Sequence, residues 1–360
     1  MNTYIVHLYF KNALHIGASN AGIDIEATQD FIHSDTLWAV IANYWAIIGK
    51  VGEIAFEDFL NGFRTKKENK IITKNDPLFR ISSAFPLTQL NDLMTYWLPK
   101  PLSTPMAFSI SNIDNDERQH QRKEYGKNVK QKMFIPLDVY KEWINFEKNA
   151  SDVANAEQKG ISNGQLRPHA TLDRLSMQAQ LFHSGITYFE KFEKRVGLYF
   201  LIQCDEITRT LLEKIFQVIY EAGAIGGNRS IGLGALAEEP YFQKTDTTEF
   251  YDLFNTKNSN AHCLLSLCYP GKSEILNTGT AVAYNLVMRK GWTGSLSVGM
   301  QRKRQTVCMF SEGSVFKNKV NGSLVDITPD KTITPEWNGL HDVYRYGYAL
   351  SVPIKIDFHD

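Results

Sequence analysis

Gly197-Leu-Tyr-Phe-Leu-Ile-Gln203 is an almost wholly apolar run of strand length. With no polar alternation, it must be covered on both faces, which predicts a central strand of a sheet. Leu211, Leu212, Ile215, Phe216, Ile219 and Tyr220 then recur at helical spacing, and Gly223 stands where that helix should stop. A glycine-rich stretch follows, Gly226-Gly-Asn-Arg-Ser-Ile-Gly-Leu-Gly234, and a further strand is expected over 235–242. Strand, helix and strand thus close one folding unit.

The N-terminal side supplies its opening. Thr3-Tyr-Ile-Val-His-Leu-Tyr-Phe10 reads as a strand. Ser34 and Asp35 precede Leu37, Trp38, Ile41, Ala42, Trp45 and Ile48, one apolar stripe behind an expected N-cap. Residues 79–87 and 94–98 predict short strands, ended by Pro99-Lys-Pro101. From about 102 to 170 the chain turns polar, with one short amphipathic segment at 136–146, and reads as an insertion outside the core. Order resumes over 170–192. The resulting β-α-β-β-α-β order is the ferredoxin-like pattern of an α+β protein.

After a polar link at 243–260 with a short helix at 249–254, strands are expected near 262–269, 281–289, 305–317 and 345–356. They suggest a second, degenerate copy of the same fold. The expected division is 1–242, with a thumb insertion at about 102–185, and 243–360. A chain of 360 residues with 43% hydrophobic side chains can bury the cores this needs.

Lys plus Arg and Asp plus Glu are both 39, so any electrostatic function is local. Cys204, Cys263, Cys268 and Cys308 form no CxxC pair and read as reduced, buried thiols. Without a signal-peptide pattern or a run long enough to cross a bilayer, a soluble, cytoplasmic protein with no membrane partner is expected.

In the glycine loop, small residues let the backbone approach another molecule, and successive amides can form an anion nest. Arg229 and Ser230 add donors of the kind commonly aimed at phosphate. A plain helix-to-strand turn would also use such glycines. Nucleotide-cofactor loops run strand, loop, helix, and the P-loop needs Gly-Lys-Ser/Thr; here the order is helix, loop, strand. No cofactor and no resident metal is expected.

Other stretches occur in a telling order: Leu14-His-Ile-Gly17, Ser34-Asp-Thr-Leu37, Ile81-Ser-Ser-Ala-Phe-Pro86, Leu98-Pro-Lys-Pro101 and Leu172-Asp-Arg174 before the loop. After it come Ser266-Leu-Cys-Tyr-Pro270, Arg289-Lys-Gly-Trp292 and Met309-Phe-Ser-Glu-Gly-Ser-Val-Phe316. With the loop, they resemble the RAMP proteins of CRISPR systems, and in particular the Csm subunit four family, the Cas5-group subunit of type III-A effectors. The chain departs from that family in a longer charge-rich segment between Pro101 and Pro168 and an extended end after Phe316. The resemblance implies two ferredoxin-like (RRM/RAMP) domains and a non-catalytic, antiviral role. Such a subunit binds the 5′ tag of the CRISPR RNA, touches the large polymerase-like subunit and the RAMP backbone subunits, and meets target RNA indirectly.

Arg118, Arg122, Lys123, Lys127, Lys130 and Lys132 form the strongest basic island, interrupted only by Glu117 and Glu124. On the resemblance it belongs to a thumb whose cations neutralise RNA phosphates; a solvated surface run is the plain alternative. Arg167, His169 and Arg174 follow, with Met177, Leu181 and Phe182 as groups able to wedge against a base, although ordinary strand packing suits Leu181 and Phe182 better. Arg289-Lys290 and Arg302-Lys303-Arg304 suit RNA or a protein partner equally. The expected RNA contacts are His15, Gly17, Ser34, Lys130, Lys132, Arg167, Arg174, Gly226, Gly227, Asn228, Arg229, Ser230, Gly232, Gly234, Arg289, Lys290 and Arg302.

His15 is the one candidate for a metal-independent endoribonuclease, but no partner for it can be named. Asp35 is better explained as part of the helix cap. Asp24, Glu26 and Asp30 are acids of a polar loop that would suit Mg²⁺, with solvation as the default. A pure protein scaffold is the remaining alternative.

Overall fold

The computed structural model describes residues 1–17, 25–64, 71–72, 74–91, 93–108, 115–147, 153–154, 163–173, 175, 177–191, 194–256, 258–271, 274, 280–293, 302–330, 332–334, 337 and 340–358. β1 (Asn2–Leu8) leads to α1 (Ser34–Ile48). β2 (Phe85–Leu90) and β3 (Leu93–Pro99) form a hairpin, followed by α2 (Asn115–Gln131), β4 (Phe134–Pro136) and α3 (Leu137–Ile144). A second hairpin, β5 (Asn163–Leu172) and β6 (Ala179–Tyr188), precedes β7 (Lys194–Cys204), α4 (Glu206–Ala222) and β8 (Phe242–Lys244).

These strands make an antiparallel sheet in the order β8-β1-β7-β2-β3-β4. β7 is central, as its apolar run requires, because the sheet is covered on both faces. Leu198, Phe200 and Ile202 enter one core with the apolar stripes of α1 and α4, while Tyr199 and Leu201 enter another with α3 and strands from the C-terminal part. Asp205 caps α4 by accepting from the Thr208 N–H at 2.7 Å, and Gly223 ends it.

The C-terminal part contributes β9 (Ala261–Leu264), β10 (Leu286–Arg289), β11 (Val307–Phe310), β12 (Val315–Phe316), β13 (Gly322–Asp326), β14 (Tyr344–Tyr348) and β15 (Ser351–Ile354). β9 lies between β12 and β15, β10 pairs with β11, and β13 pairs with β14 and with Ile71–Ile72. Tyr346 of β14 stacks on Trp38 of α1 at 5.9 Å between ring centroids. The two parts of the chain therefore share both cores. The whole is a mixed α/β structure with antiparallel sheets.

Several expectations need correction. The segment at 134–154 is not excluded from the core: Phe134, Ile135, Leu137, Tyr140, Trp143 and Ile144 fill the second one. The surrounding polar composition hid this short dense run. The strand expected over 235–242 reduces to a bridge between Phe10 and Leu236 and the short β8. Pro240 has no N–H for a ladder. Residues 305–317 break into two strands at a turn where Gly313 has φ +82°. The segment at 249–254 forms a single tight turn over Tyr251–Phe254. Cys308 is exposed, unlike the other three cysteines, because its side of β11 faces solvent. The N-cap of α1 is His33 and makes no side-chain cap bond, which leaves Ser34 and Asp35 for other work.

Candidate nucleic-acid interface

The glycine loop is stitched to the segment after β1. Gly227 N–H donates to the His15 carbonyl at 2.8 Å, Gly234 N–H to the Ala13 carbonyl at 3.0 Å, and Ile225 N–H to the Gly234 carbonyl at 2.9 Å. A Cβ on Gly234, where φ is +75°, would sit 1.8 Å from the Ile225 carbonyl oxygen. Gly226 and Gly227 crowd His15 in the same way. Three of the four glycines thus serve close packing of the chain on itself, as a plain turn would.

What they present outward is the apex. Asn228, left-handed at φ 55°, Arg229, Ser230, Ile231 and Gly232 are all exposed. Gly17 is exposed with open space about it. His15 is buried, and its Nδ1 lies 2.6 Å from the Gly185 carbonyl, which can only accept, so Nδ1 carries the proton.

Below the apex lies a cavity of about 720 Å³. One wall is the face of α1 carrying Thr36, Ala39, Val40, Asn43 and Tyr44, and another is His15, Ile16, Gly17, Gly226, Gly227 and Arg229. Lys290, Trp292 and Lys303 form the opposite rim, with the Lys303 ammonium 5.5 Å from the centre of the Trp292 ring. Trp292 is 55% exposed, unusual for a tryptophan and suited to stacking.

The floor is ionic. Arg289 donates Nε to Asp35 Oδ2 and Nη2 to Oδ1, both at 2.9 Å, and Arg345 Nη1 binds Oδ2 from the other side. Burial alone would raise the Asp35 carboxyl, but Arg289 and Arg345 outweigh it and hold it well below the usual carboxylate range. Arg304 completes the floor, its guanidinium lowered to about 10 by burial and by neighbouring Arg345. Arg229, Arg289, Lys290, Lys303, Arg304 and Arg345 thus line a cleft whose only carboxylate among the described residues is Asp35. In a neutral chain that concentration creates a strong local field.

The expected contacts divide accordingly. His15, Gly17, Gly226, Gly227, Arg229, Arg289 and Lys290 are brought together in this cleft. Asn228 joins from the apex, its Nδ2 3.4 Å from Ser184 Oγ on β6. Ser184 pairs with Arg167 across the hairpin, which places Arg167 at the foot of the β5–β6 arm. Two expectations fail on burial. Ser34 is wholly buried, its hydroxyl accepting from Leu267 N–H at 3.0 Å, so it is a packing contact. Arg289 is bound to Asp35 and Thr36 and shapes the floor rather than reaching outward.

Lys130, in the last turn of α2, and Lys132, just beyond it, are not among the residues lining the cleft; Lys130 is exposed and lowers Lys100, which burial has already lowered. Arg122 on the same helix donates to the Phe108 carbonyl at 2.8 Å. Arg302 lies beside the rim, its N–H bonded to Thr293 Oγ1 at 2.9 Å. Arg174 and Asp24 lie outside the described residues, as does the Glu26 side chain; Asp30 accepts from Thr187 Oγ1 at 3.4 Å.

The β5–β6 arm carries Leu166, Leu172, Leu175, Met177 and Leu181 exposed, and His169 stacks on Phe182 at 5.3 Å. Leu181, on β6, is 59% exposed and so is not packed in a sheet face as expected. Among the described residues no His, Cys, Asp or Glu cluster could hold a metal ion, and no helix is long and apolar enough to cross a membrane.

Comparison with known proteins gives this geometry a family. Residues 257–354 match the CRISPR Csm4 C-terminal domain. The chain is 28% identical over 185 residues to the CRISPR system Cms protein Csm4 of Methanocaldococcus jannaschii, covering 46% of each. It is 21% identical over 259 residues to the protein of that name from Streptococcus thermophilus, covering 71% of this chain and 76% of the relative. These matches support a Csm4-family subunit.

The match spans less than half the length of the archaeal Csm4 and about three quarters of the streptococcal one. Csm4-family folds also superpose along the chain. A crystal structure of a Csm3-Csm4 subcomplex of the type III-A CRISPR-Cas interference complex matches at TM-score 0.57 and 18% identity, covering 98% of this chain and 99% of that one. A Csm1-Csm4 cassette in complex with cA4 matches at 0.58 and 18%, covering 99% of both. At that identity the likeness is one of fold.

Within the segment that matches the Csm4 C-terminal domain, Arg345 escaped the sequence reading. The available signal was Tyr344-Arg-Tyr-Gly-Tyr348, a buried aromatic strand with an arginine inside it, which implies a buried anionic partner.

Proposed function

We propose that this chain is the non-catalytic subunit of a type III-A CRISPR effector that holds the 5′ tag of the CRISPR RNA and bridges the large polymerase-like subunit to the backbone subunits. The observation that carries the reading is the cleft, where six arginines and lysines surround one already neutralised carboxylate beneath an exposed glycine-loop apex. Exposed cations serve phosphates, and Trp292 offers a face for an unstacked base. The β8-β1-β7-β2 sheet sets the fourth, first, third and second strands of a β-α-β-β-α-β unit side by side, which supports a ferredoxin-like RAMP domain. The β5–β6 arm, with its exposed apolar side chains, suits the thumb. Complexes of solved Csm4 relatives with Csm3 and Csm1 support the backbone and polymerase-like partners.

The chemistry of the cleft supports a non-catalytic role. Cleavage of RNA needs an acid and a base at the 2′-hydroxyl. His15 is tied to Gly185, and Asp35 is held ionised by two arginines. Arg229→Ala with Lys290→Ala, introduced into the assembled effector, should release guide RNA and flatten the salt dependence of binding. Unchanged guide retention by a folded double variant would refute the reading. Site-specific cutting of precursor RNA in EDTA, abolished by His15→Ala, would make the chain an endoribonuclease instead.

A further inference from the structure

We infer that the floor of the cleft is a phosphate site, in which the guanidiniums of Arg304 and Arg345 take one phosphate group that the chain itself does not supply. The inference goes beyond the RNA reading, since it rests on donors left without acceptors. Arg289 is satisfied by both Asp35 oxygens and by Thr36 Oγ1 at 3.0 Å. Arg345 spends only Nη1 on Asp35. Its Nε and Nη2 are buried with no partner among the described residues, in a residue only 5% exposed, and Arg304 Nε is in the same condition. Buried charged donors of native proteins are rarely left unpaired, because they lose hydration with nothing in return.

The site is built to keep these groups in place. Asp35 fixes Arg345 from one side, and Arg304 N–H donates to the Gly291 carbonyl at 3.0 Å. Gly291 has φ +149°, and a Cβ there would stand 2.3 Å from Arg304 Nη2, so the glycine makes room for the guanidinium. Glu312, the buried carboxylate next along the chain, is engaged by His33 at 2.8 Å and by Ser83, and lines no part of the cleft. Among the described residues, three guanidiniums therefore face one carboxylate, and both Arg304 and Arg345 line the open cavity.

Phosphate is the anion that fits. A carboxylate presents its two oxygens in one plane, as Asp35 does to Arg289 and Arg345, whereas a tetrahedral phosphate also presents oxygens out of that plane and carries more negative charge to set against two further guanidiniums. The source is either a backbone phosphodiester of RNA or a free phosphate ester.

The test is the melting of the full chain in chloride, acetate and inorganic phosphate at equal ionic strength. Phosphate alone should raise Tm, by about 3 °C at a hundredfold excess over Kd. Arg304→Met, which leaves Asp35 both of its partners, should abolish that rise, whereas Arg229→Ala should keep it. No phosphate-specific rise, or an equal rise in Arg304→Met, overturns the inference. Should Arg304→Met not fold, calorimetric titration of the wild-type chain with phosphate decides alone, and absence of binding overturns it. Competition assigns the source: phosphate that weakens single-stranded RNA binding in wild type marks a backbone subsite, and phosphate binding that leaves RNA affinity unmoved marks a free ester. Loss of RNA affinity in Arg229→Ala reports on the RNA reading separately.

Discussion

Asp35→Asn is the substitution that weighs the ionic floor most directly. Asparagine keeps the shape and removes the charge, so Arg289 and Arg345 lose their common counter-ion inside a site where Asp35 is 3% exposed and Arg345 5%. Removing one partner of a buried pair costs about 3–5 kcal/mol, most of it the penalty for the charge left behind. A helix-cap role for the same residue would cost only about 1 kcal/mol, and the cap position in fact belongs to His33. Denaturant unfolding at pH 7 should therefore show a loss of about 3–5 kcal/mol.

The acid limb supplies a second reading. The folded carboxyl is depressed below its ordinary value, so its stabilisation is present above the unfolded pKa of about 3.9 and is lost as pH falls toward the folded value. Wild type should lose stability below about pH 4 more steeply than Asp35→Asn, and the two curves should converge in acid. A loss of about 1 kcal/mol or less, or parallel acid limbs, would refute the ion cluster.

Gly234→Ala should cost about 2–5 kcal/mol, combining a left-handed backbone with overpacking against Ile225. Gly232→Ala, with open space around it, should cost only about 1–2 kcal/mol, and equal losses in denaturant titrations would contradict the stitched loop. Lys290→Ala should lower the slope of log affinity against log salt by about 1, read by filter binding; an unchanged slope removes Lys290 from the phosphate contacts. Ser replacing both Leu175 and Met177 should leave stability within about 0.5 kcal/mol while reducing guide retention in the assembled effector. A stability loss beyond that range would mean that the arm packs on the body. Cys308 should react with a thiol reagent in the native state, whereas Cys204 and Cys263, both pushed up to about 12 by burial, should wait for unfolding.

Legibility followed the range of the interactions. β7 and α4 could be read because the burial pattern repeats within a few residues: alternate side chains of β7 feed opposite cores, and α4 turns one stripe inward. The glycine loop was visible for the same local reason, although most of its glycines answer to His15, Ala13 and Ile225 rather than to a ligand. Segment 134–154 was misjudged because long-window polarity outweighed a dense apolar run whose partners, such as Cys263 and Val352, come from far along the chain. The ionic floor lay out of reach altogether. Asp35 and Arg345 are 310 positions apart, and nothing near either residue announces the other. Asp35 was read as a cap because only its neighbours in sequence were visible.

Net neutrality has a consequence for how such a cleft works. Elsewhere on the surface, cations sit beside acids: Lys50 with Glu53 at 2.8 Å, Arg209 with Glu206 at 3.0 Å, and Arg195 with Glu238. Those pairs cancel beyond a Debye length of about 8 Å, which leaves the exposed lysines of α2, Lys123, Lys127 and Lys130, as a basic surface apart from the cleft. In the cleft the lining cations outnumber the single carboxylate, and that carboxylate is already shared between two arginines. On the proposed function, the cleft's low-dielectric walls strengthen the attraction of its cations for nucleic acid. On the proposed function, a polyanion would be drawn in by the part of it that fits, and the rest of its length would stay free for other subunits. Moving the same number of cations from the cleft to the outer surface would keep the net charge at zero and, on the proposed function, should weaken guide retention in the assembled effector; unchanged retention would show that the cleft's field is not what holds the strand.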